Sequence, residues 1–262
     1  MENKKRRNFL KAVGGFSIVA LASGAGIYFA PQLKPDKLLL RPPGAVPEED
    51  FLKLCIKCGQ CLQVCPYDSI KLEDINGMAS MGMAYIDPLE RGCYLCSAFP
   101  CILACPTGAL DHEKDELKYV HMGVAVIVNE SACLALHNKK VPDSAIDRIY
   151  EHTKVISSKE RAAHKVVLRG DESEKQELQK KLLLKLEKFR GKECTICADM
   201  CPYTPDPTLA IGMVKKDGGL IPEIREACVG CGACVELCPT QVLNIVPRAT
   251  YAQIYKKGKS DA

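Results

Sequence analysis

An α+β fold of two similar halves, interrupted by a helical insertion, is predicted for this 262-residue chain by three observations. Fifteen of its sixteen cysteines fall into four tight groups, each followed by a proline. The last cysteine of one group and the next cysteine of the chain recur at intervals of 28, 28 and 27 residues, at 65–93, 105–133 and 201–228, as expected of duplicated units. Short apolar stretches flank the groups before and behind, in the manner of strands.

The cysteines carry the chemistry. The chain is 47% hydrophobic but has no tryptophan and only 6% aromatic residues, so the large side chains that usually fill a core are scarce. Sixteen cysteines in such a chain signify a metal or disulfide framework, and spacing separates the two. The first group, Cys55, Cys58, Cys61 and Cys65, is spaced C-x2-C-x2-C-x3-C before Pro66, and Cys228, Cys231, Cys234 and Cys238 repeat it before Pro239. Three thiolates joined by two-residue loops can wrap three corners of a cubane. This is the run that binds [4Fe-4S] clusters in bacterial ferredoxins, where the fourth cysteine ligates the other cluster of a pair. Disulfides do not require four repeats of one spacing, and paired C-x2-C zinc elements do not account for all four groups.

The second group, Cys93, Cys96, Cys101 and Cys105, has a four-residue middle loop. The third holds only Cys194, Cys197 and Cys201, which match the last three positions of the run and lack the first. Cys133 is the cysteine left over. Four clusters need sixteen thiolates and the chain has sixteen, so Cys133 is predicted to complete the third set across residues 134–193. The expected fold is therefore two ferredoxin-like halves built from four [4Fe-4S]-binding repeats, each reading as strand, cluster loop, short helical turn and strand.

The insertion, residues 138–193, is basic and helical in pattern. Leu178, Leu182, Leu186 and Phe189 form one stripe, Ser173 and Gln176 a capping box, and Gly191 a stop. The simplest reading is a surface helix covering part of the insertion. The five histidines are scattered and none is assigned to metal, and the methionines of residues 77–85 read as loop and packing residues.

Residues 1–31 read as a twin-arginine signal or an N-terminal anchor. Arg6 and Arg7 precede Asn8, Phe9, Leu10 and Lys11, and residues 12–30 supply the apolar region. Such a route exports proteins already folded around their cofactors, which protects thiols from an oxidising periplasm. Residues 32–262 would be the four-cluster domain. The formal charge of +4 arises within residues 1–30, and four oxidised clusters bring the remainder to about −8. That balance argues against nucleic-acid binding. No C-x-x-C pair is followed by His, as haem attachment requires, and no G-x-G-x-x-G turn announces a flavin or nucleotide. The chain thus conducts single electrons and is not a catalyst alone.

The segment at residues 40–72, the variant second group, the segment around Cys133 and the split third group together resemble the NapG/MauM ferredoxin-type proteins. The likeness includes Arg41, Pro42, Pro43, Gly44 and Ala45 and spans residues 38–133 and 194–248. It implies a periplasmic subunit of a quinol dehydrogenase beside a polytopic, NapH-like membrane partner, with electrons passing to c-type cytochromes and a periplasmic nitrate reductase. Service to another reductase or an amine dehydrogenase is the near alternative, and a metal-binding scaffold without redox traffic the distant one. The longer loop of group two is similar to that of the four-cluster subunits of membrane-bound molybdenum oxidoreductases. That likeness implies nested pairing, group one with four and two with three, over sequential pairing.

Overall fold

The computed structural model describes residues 38–74, 80–151, 155, 166, 168 and 173–256. The export signal predicted over residues 1–31 lies outside them. No helix among the described residues is long and apolar enough to cross a membrane. In chain order the regular elements are helices α1 (Glu48–Leu54) and α2 (Gln60–Val64), strands β1 (Ile70–Leu72) and β2 (Ala84–Ile86), helix α3 (Pro100–Leu103), strand β3 (Gly123–Ile127), and helices α4 (Asp143–Glu151), α5 (Glu174–Glu187) and α6 (Ile196–Asp199). Strands β4 (Ile211–Lys216) and β5 (Gly219–Ile224), helix α7 (Ala233–Glu236) and strand β6 (Leu243–Pro247) complete them.

The two halves share one plan. In the first, β1 and β2 form an antiparallel pair from Ile70↔Ile86 to Leu72↔Ala84, while Ala45 bridges Leu110. In the second, β4 and β5 pair from Ile211↔Ile224 to Lys216↔Gly219, and β3 pairs with β6 from Gly123↔Pro247 to Ile127↔Leu243. Each half therefore has a hairpin between its two cysteine groups and a second pairing that joins its beginning to its end. The strand predicted behind the second group is reduced to the single bridge at Leu110. There the chain enters a 3₁₀ turn at His112–Lys114, favoured because the Asp111 side chain accepts Glu113 N–H at 3.1 Å.

The insertion closes on itself. Lys140 bridges Glu193, Val141 N–H donates to Lys192 O at 2.8 Å, and Gly191 N–H donates to Val141 O at 3.0 Å. These bonds bring the chain on either side of the insertion together, so Cys133 and Cys194 become neighbours despite their separation in sequence. Helix α5 begins at the predicted capping box, with Gln176 N–H bonded to Ser173 Oγ and Ser173 N–H bonded to Gln176 Oε1. Its buried face, however, is Gln179, Lys180, Leu183 and Leu186 rather than the stripe starting at Leu178. Gln179 turns the face: its Nε2 donates to Pro66 O at 2.8 Å and to Asp68 Oδ2 at 3.1 Å. The helix thus clamps the first half and does more than cover the insertion.

Two ion-pair networks join the halves, the first half-buried and the second buried. Glu48 accepts from Arg41 of its own half at 2.5 Å and from Arg248 of the other at 2.8 Å. Burial pushes the Glu48 carboxyl up, and the two guanidiniums outweigh it and hold the group below the usual carboxylate range. Arg91 and Glu236 form the second pair, at 3.0 Å.

Candidate cluster sites

Four cavities of similar size are each walled by four thiols and by apolar side chains. The first, about 380 Å³, is lined by Cys55, Cys58, Cys61 and Cys105, and the second, about 340 Å³, by Cys65, Cys93, Cys96 and Cys101. The third, about 370 Å³, is lined by Cys201, Cys228, Cys231 and Cys234, and the fourth, about 330 Å³, by Cys133, Cys194, Cys197 and Cys238.

Each group contributes its leading cysteines to one cavity and its last to the neighbour, because a short helix spans the two. Helix α2 carries Cys61 at one cavity and is capped by Cys65 at the next, while α7 carries Cys234 and is capped by Leu237, one residue before Cys238 at the neighbouring cavity. Gly59 and Gly232 start these helices at φ 73° and 85°, a left-handed entry that glycine adopts without strain. Lys57 and Leu95 take the left-handed region at φ 61° and 48° in spite of their side chains, so the tight loops between thiols are held against a local cost.

This exchange pairs group one with two and three with four. The nested pairing implied by the loop of group two is therefore overturned. That loop is longer because Phe99 and Pro100 open α3, with Ala98 and Phe99 both left-handed, and its length has no part in the choice of partner. Cys133 stands where the spacing puts it, with Cys194 and Cys197, at a cavity completed by Cys238.

Four thiols face each cavity, the number of protein donors that a [4Fe-4S] cluster takes. Backbone amides point at sulfur: Ser69 N–H reaches Cys65 Sγ at 3.4 Å, Leu110 N–H reaches Cys105 Sγ at 3.4 Å, and Val242 N–H reaches Cys238 Sγ at 3.3 Å. Such donors stabilise thiolate and bridging sulfide alike. Burial, followed by the field of neighbouring thiols, pushes Cys61 up to about 11 and Cys101 up to about 12. Burial also pushes Cys96 and Cys194 up to about 11. At Cys105 burial is outweighed by the amides of Leu110 and Thr107, and the thiol falls below its ordinary value. Neutral thiols crowded in apolar cavities favour a guest that takes them as thiolates and supplies compensating charge, as an iron–sulfur cubane does.

Several residues at these sites carry no local sequence signal. Arg91, Tyr94, Gln179 and Glu236 meet at the junction of the halves, with Arg91 Nη2 3.4 Å from Gln179 Oε1 and Tyr94 Oη donating to Glu236 at 2.9 Å. Only Gly92, immediately before Cys93, hints at a crowded backbone in the sequence.

Comparison with known proteins finds likeness to iron–sulfur proteins along most of the chain. Residues 54–109 and 191–243 each match a 4Fe-4S dicluster domain. The methylamine utilization ferredoxin-type protein MauM of Paracoccus denitrificans is 29% identical over 253 residues, 95% of this chain and 86% of the relative. MauM of Methylorubrum extorquens is 29% identical over 92% of this chain and 86% of its own length. The ferredoxin-type protein NapG of Escherichia coli is 28% identical over 243 residues, 89% of this chain and 80% of the relative. No solved structure matches significantly. Two dicluster domains, cysteine-walled cavities and likeness along most of its length make the chain a ferredoxin-type iron-sulfur electron-transfer protein related to NapG and MauM.

Proposed function

We propose that this protein holds four [4Fe-4S] clusters and carries electrons in the periplasm from a membrane quinol-oxidising partner of the NapH type toward c-type cytochromes and a periplasmic nitrate reductase. The observation that carries the reading is the repeated cavity, four times walled by four thiols with the last cysteine of each group lent to a neighbour. Bound there, the clusters supply one-electron storage, and the chain supplies sixteen thiolates, amide donors to sulfur and an apolar surround. Cys58 is the exposed cysteine of the sixteen, which suits the first site to exchange electrons with an external protein. Export through the twin-arginine translocase, read from Arg6 and Arg7, suits a protein that must keep its thiols reduced until the clusters are in place.

A second reading is delivery to an amine-oxidising system. It is favoured by the MauM relatives, named for methylamine utilization, of which those of Paracoccus denitrificans and Methylorubrum extorquens are 29% identical to this chain against 28% for the NapG of Escherichia coli. Both readings give the chain no quinol chemistry of its own. Anaerobically purified protein is expected to contain about sixteen iron and sixteen acid-labile sulfide atoms per chain. Zinc in place of iron, or clusters that cannot be reversibly reduced, would leave a metal-binding scaffold instead. Quinol-dependent reduction in the presence of the membrane partner, absent from the isolated chain, tests the direction of flow.

A further inference from the structure

The second and third cavities meet across one backbone contact between the halves. Cys93 N–H donates to Cys231 O at 2.8 Å, and Cys93 bridges Gly232 in parallel register. The chains approach too closely for side chains: a Cβ at Gly92 would stand 2.5 Å from Ala233 N and from Gly232 C, and one at Gly232 would stand 2.6 Å from the Pro88 Cβ. Glu236 grips this seam. It sits in α7 between Cys234 and Cys238, yet Oε2 accepts Gly92 N–H at 2.7 Å and Tyr94 Oη at 2.9 Å, and Oε1 accepts Arg91 Nη1 at 3.0 Å. Arg91 is fixed in turn by its Nε donating to Tyr67 O at 2.9 Å.

One buried carboxylate of the second half thus holds three residues flanking Cys93 of the first. We propose that Glu236 and Gly92 are positioning residues that set the spacing of the second and third thiol sites, and that the Cys93–Cys231 contact is the path by which electrons cross between the halves. The inference rests on the four-cluster reading. One electron leaves one site as the other gains it, with no bond broken and no proton moved. This contact is made by thiol-bearing residues of both halves, whereas the fastening of Arg248 to Glu48 contacts no cysteine.

That second fastening provides the control. Gly92→Ala, Glu236→Gln and Arg248→Gln are made in the full chain, purified anaerobically, assayed for iron and fully reduced for electron paramagnetic resonance. All three are expected to keep the parent's iron content. Magnetic interaction between clusters, seen as line broadening, is expected to weaken in Gly92→Ala and Glu236→Gln and to persist unchanged in Arg248→Gln. Full iron with unchanged broadening in the first two variants overturns the proposal, as does an equal change in Arg248→Gln. Iron loss in both seam variants also overturns it, by making the seam a folding contact only. A parent with fewer than four clusters refutes the four-cluster reading itself, and a four-cluster parent without interaction broadening refutes the positioning alone.

Discussion

Cys133 shows how one residue draws its meaning from distant chain. Its sulfur lies 3.9 Å from Leu220 O, a contact made possible by the β4–β5 hairpin, and its cavity is completed by Cys194, Cys197 and Cys238. A serine hydroxyl is a poorer iron ligand than a thiolate, so Cys133→Ser is expected to lower iron from about sixteen to about twelve atoms per chain. Electron paramagnetic resonance should show the other three centres retained, and an unchanged iron count would remove Cys133 from the ligand set. Cys58 differs in exposure rather than in partners. It is the exposed thiol of the first site, so controlled oxidation is expected to release that site's iron first. Mass spectrometry after brief exposure to air and alkylation should find label at Cys55, Cys58 and Cys61 ahead of the buried Cys93 and Cys231.

Elements act here by bringing cysteine loops to one place. The β4–β5 hairpin packs on the Cys133 segment through Leu220 N–H, which donates to Ala135 O at 3.1 Å, and through Gly219, where a Cβ would collide with Leu136 O. Gly219→Ala should therefore lift the hairpin from that segment and weaken the fourth site selectively, with iron loss from about sixteen toward about twelve as the measure. Helix α5 depends on Gln179. Replacing it by Ala leaves Pro66 O without that donor and Arg91 without one acceptor, at an expected cost of about 1–3 kcal/mol. Because unfolding of a cluster protein is not reversible, hydrogen exchange in α5 is the suitable measurement, and faster exchange there with unchanged iron is the expected result. Ser173→Ala, which removes only the cap, should fray the first turn by about 1 kcal/mol and leave Gln179 seated.

The molecule as a whole couples its fold to its cofactors through the thiol protons. Burial raises Cys61, Cys96 and Cys194 to about 11 and Cys101 to about 12, against an ordinary value of 9.0. A group whose pKa is raised in the folded state retains its proton there longer than in the unfolded chain. The stability it contributes is present below about 9 and is lost as pH rises through 11 to 12. Apoprotein made by anaerobic chelation is therefore expected to lose thermal stability steeply from pH 9 upward, whereas loaded protein, its thiols already deprotonated by iron, should change little over that range. Circular dichroism melts of the two forms check this, and a flat apoprotein profile would contradict the burial that raises these thiols.

What the sequence alone determined is local. Two-residue loops between cysteines dictate three corners of a site, a proline ends each run, and the sixteen-thiol count singles out Cys133. The cap at Ser173 and the strands before Cys93, Cys133 and Cys228 were legible for the same reason, since each depends on neighbours within a few residues. Tertiary structure decided the rest. The groups are too alike for spacing to say which lends its last cysteine to which, and the answer comes from how α2 meets α3 and α6 meets α7 in each half. The buried face of α5 was set by Gln179 reaching Pro66 and Asp68, a polar contact that an apolar stripe cannot announce. Glu236 at Gly92 is the extreme case, because a carboxylate 144 positions away acquires its role only when the halves close and exclude water around it.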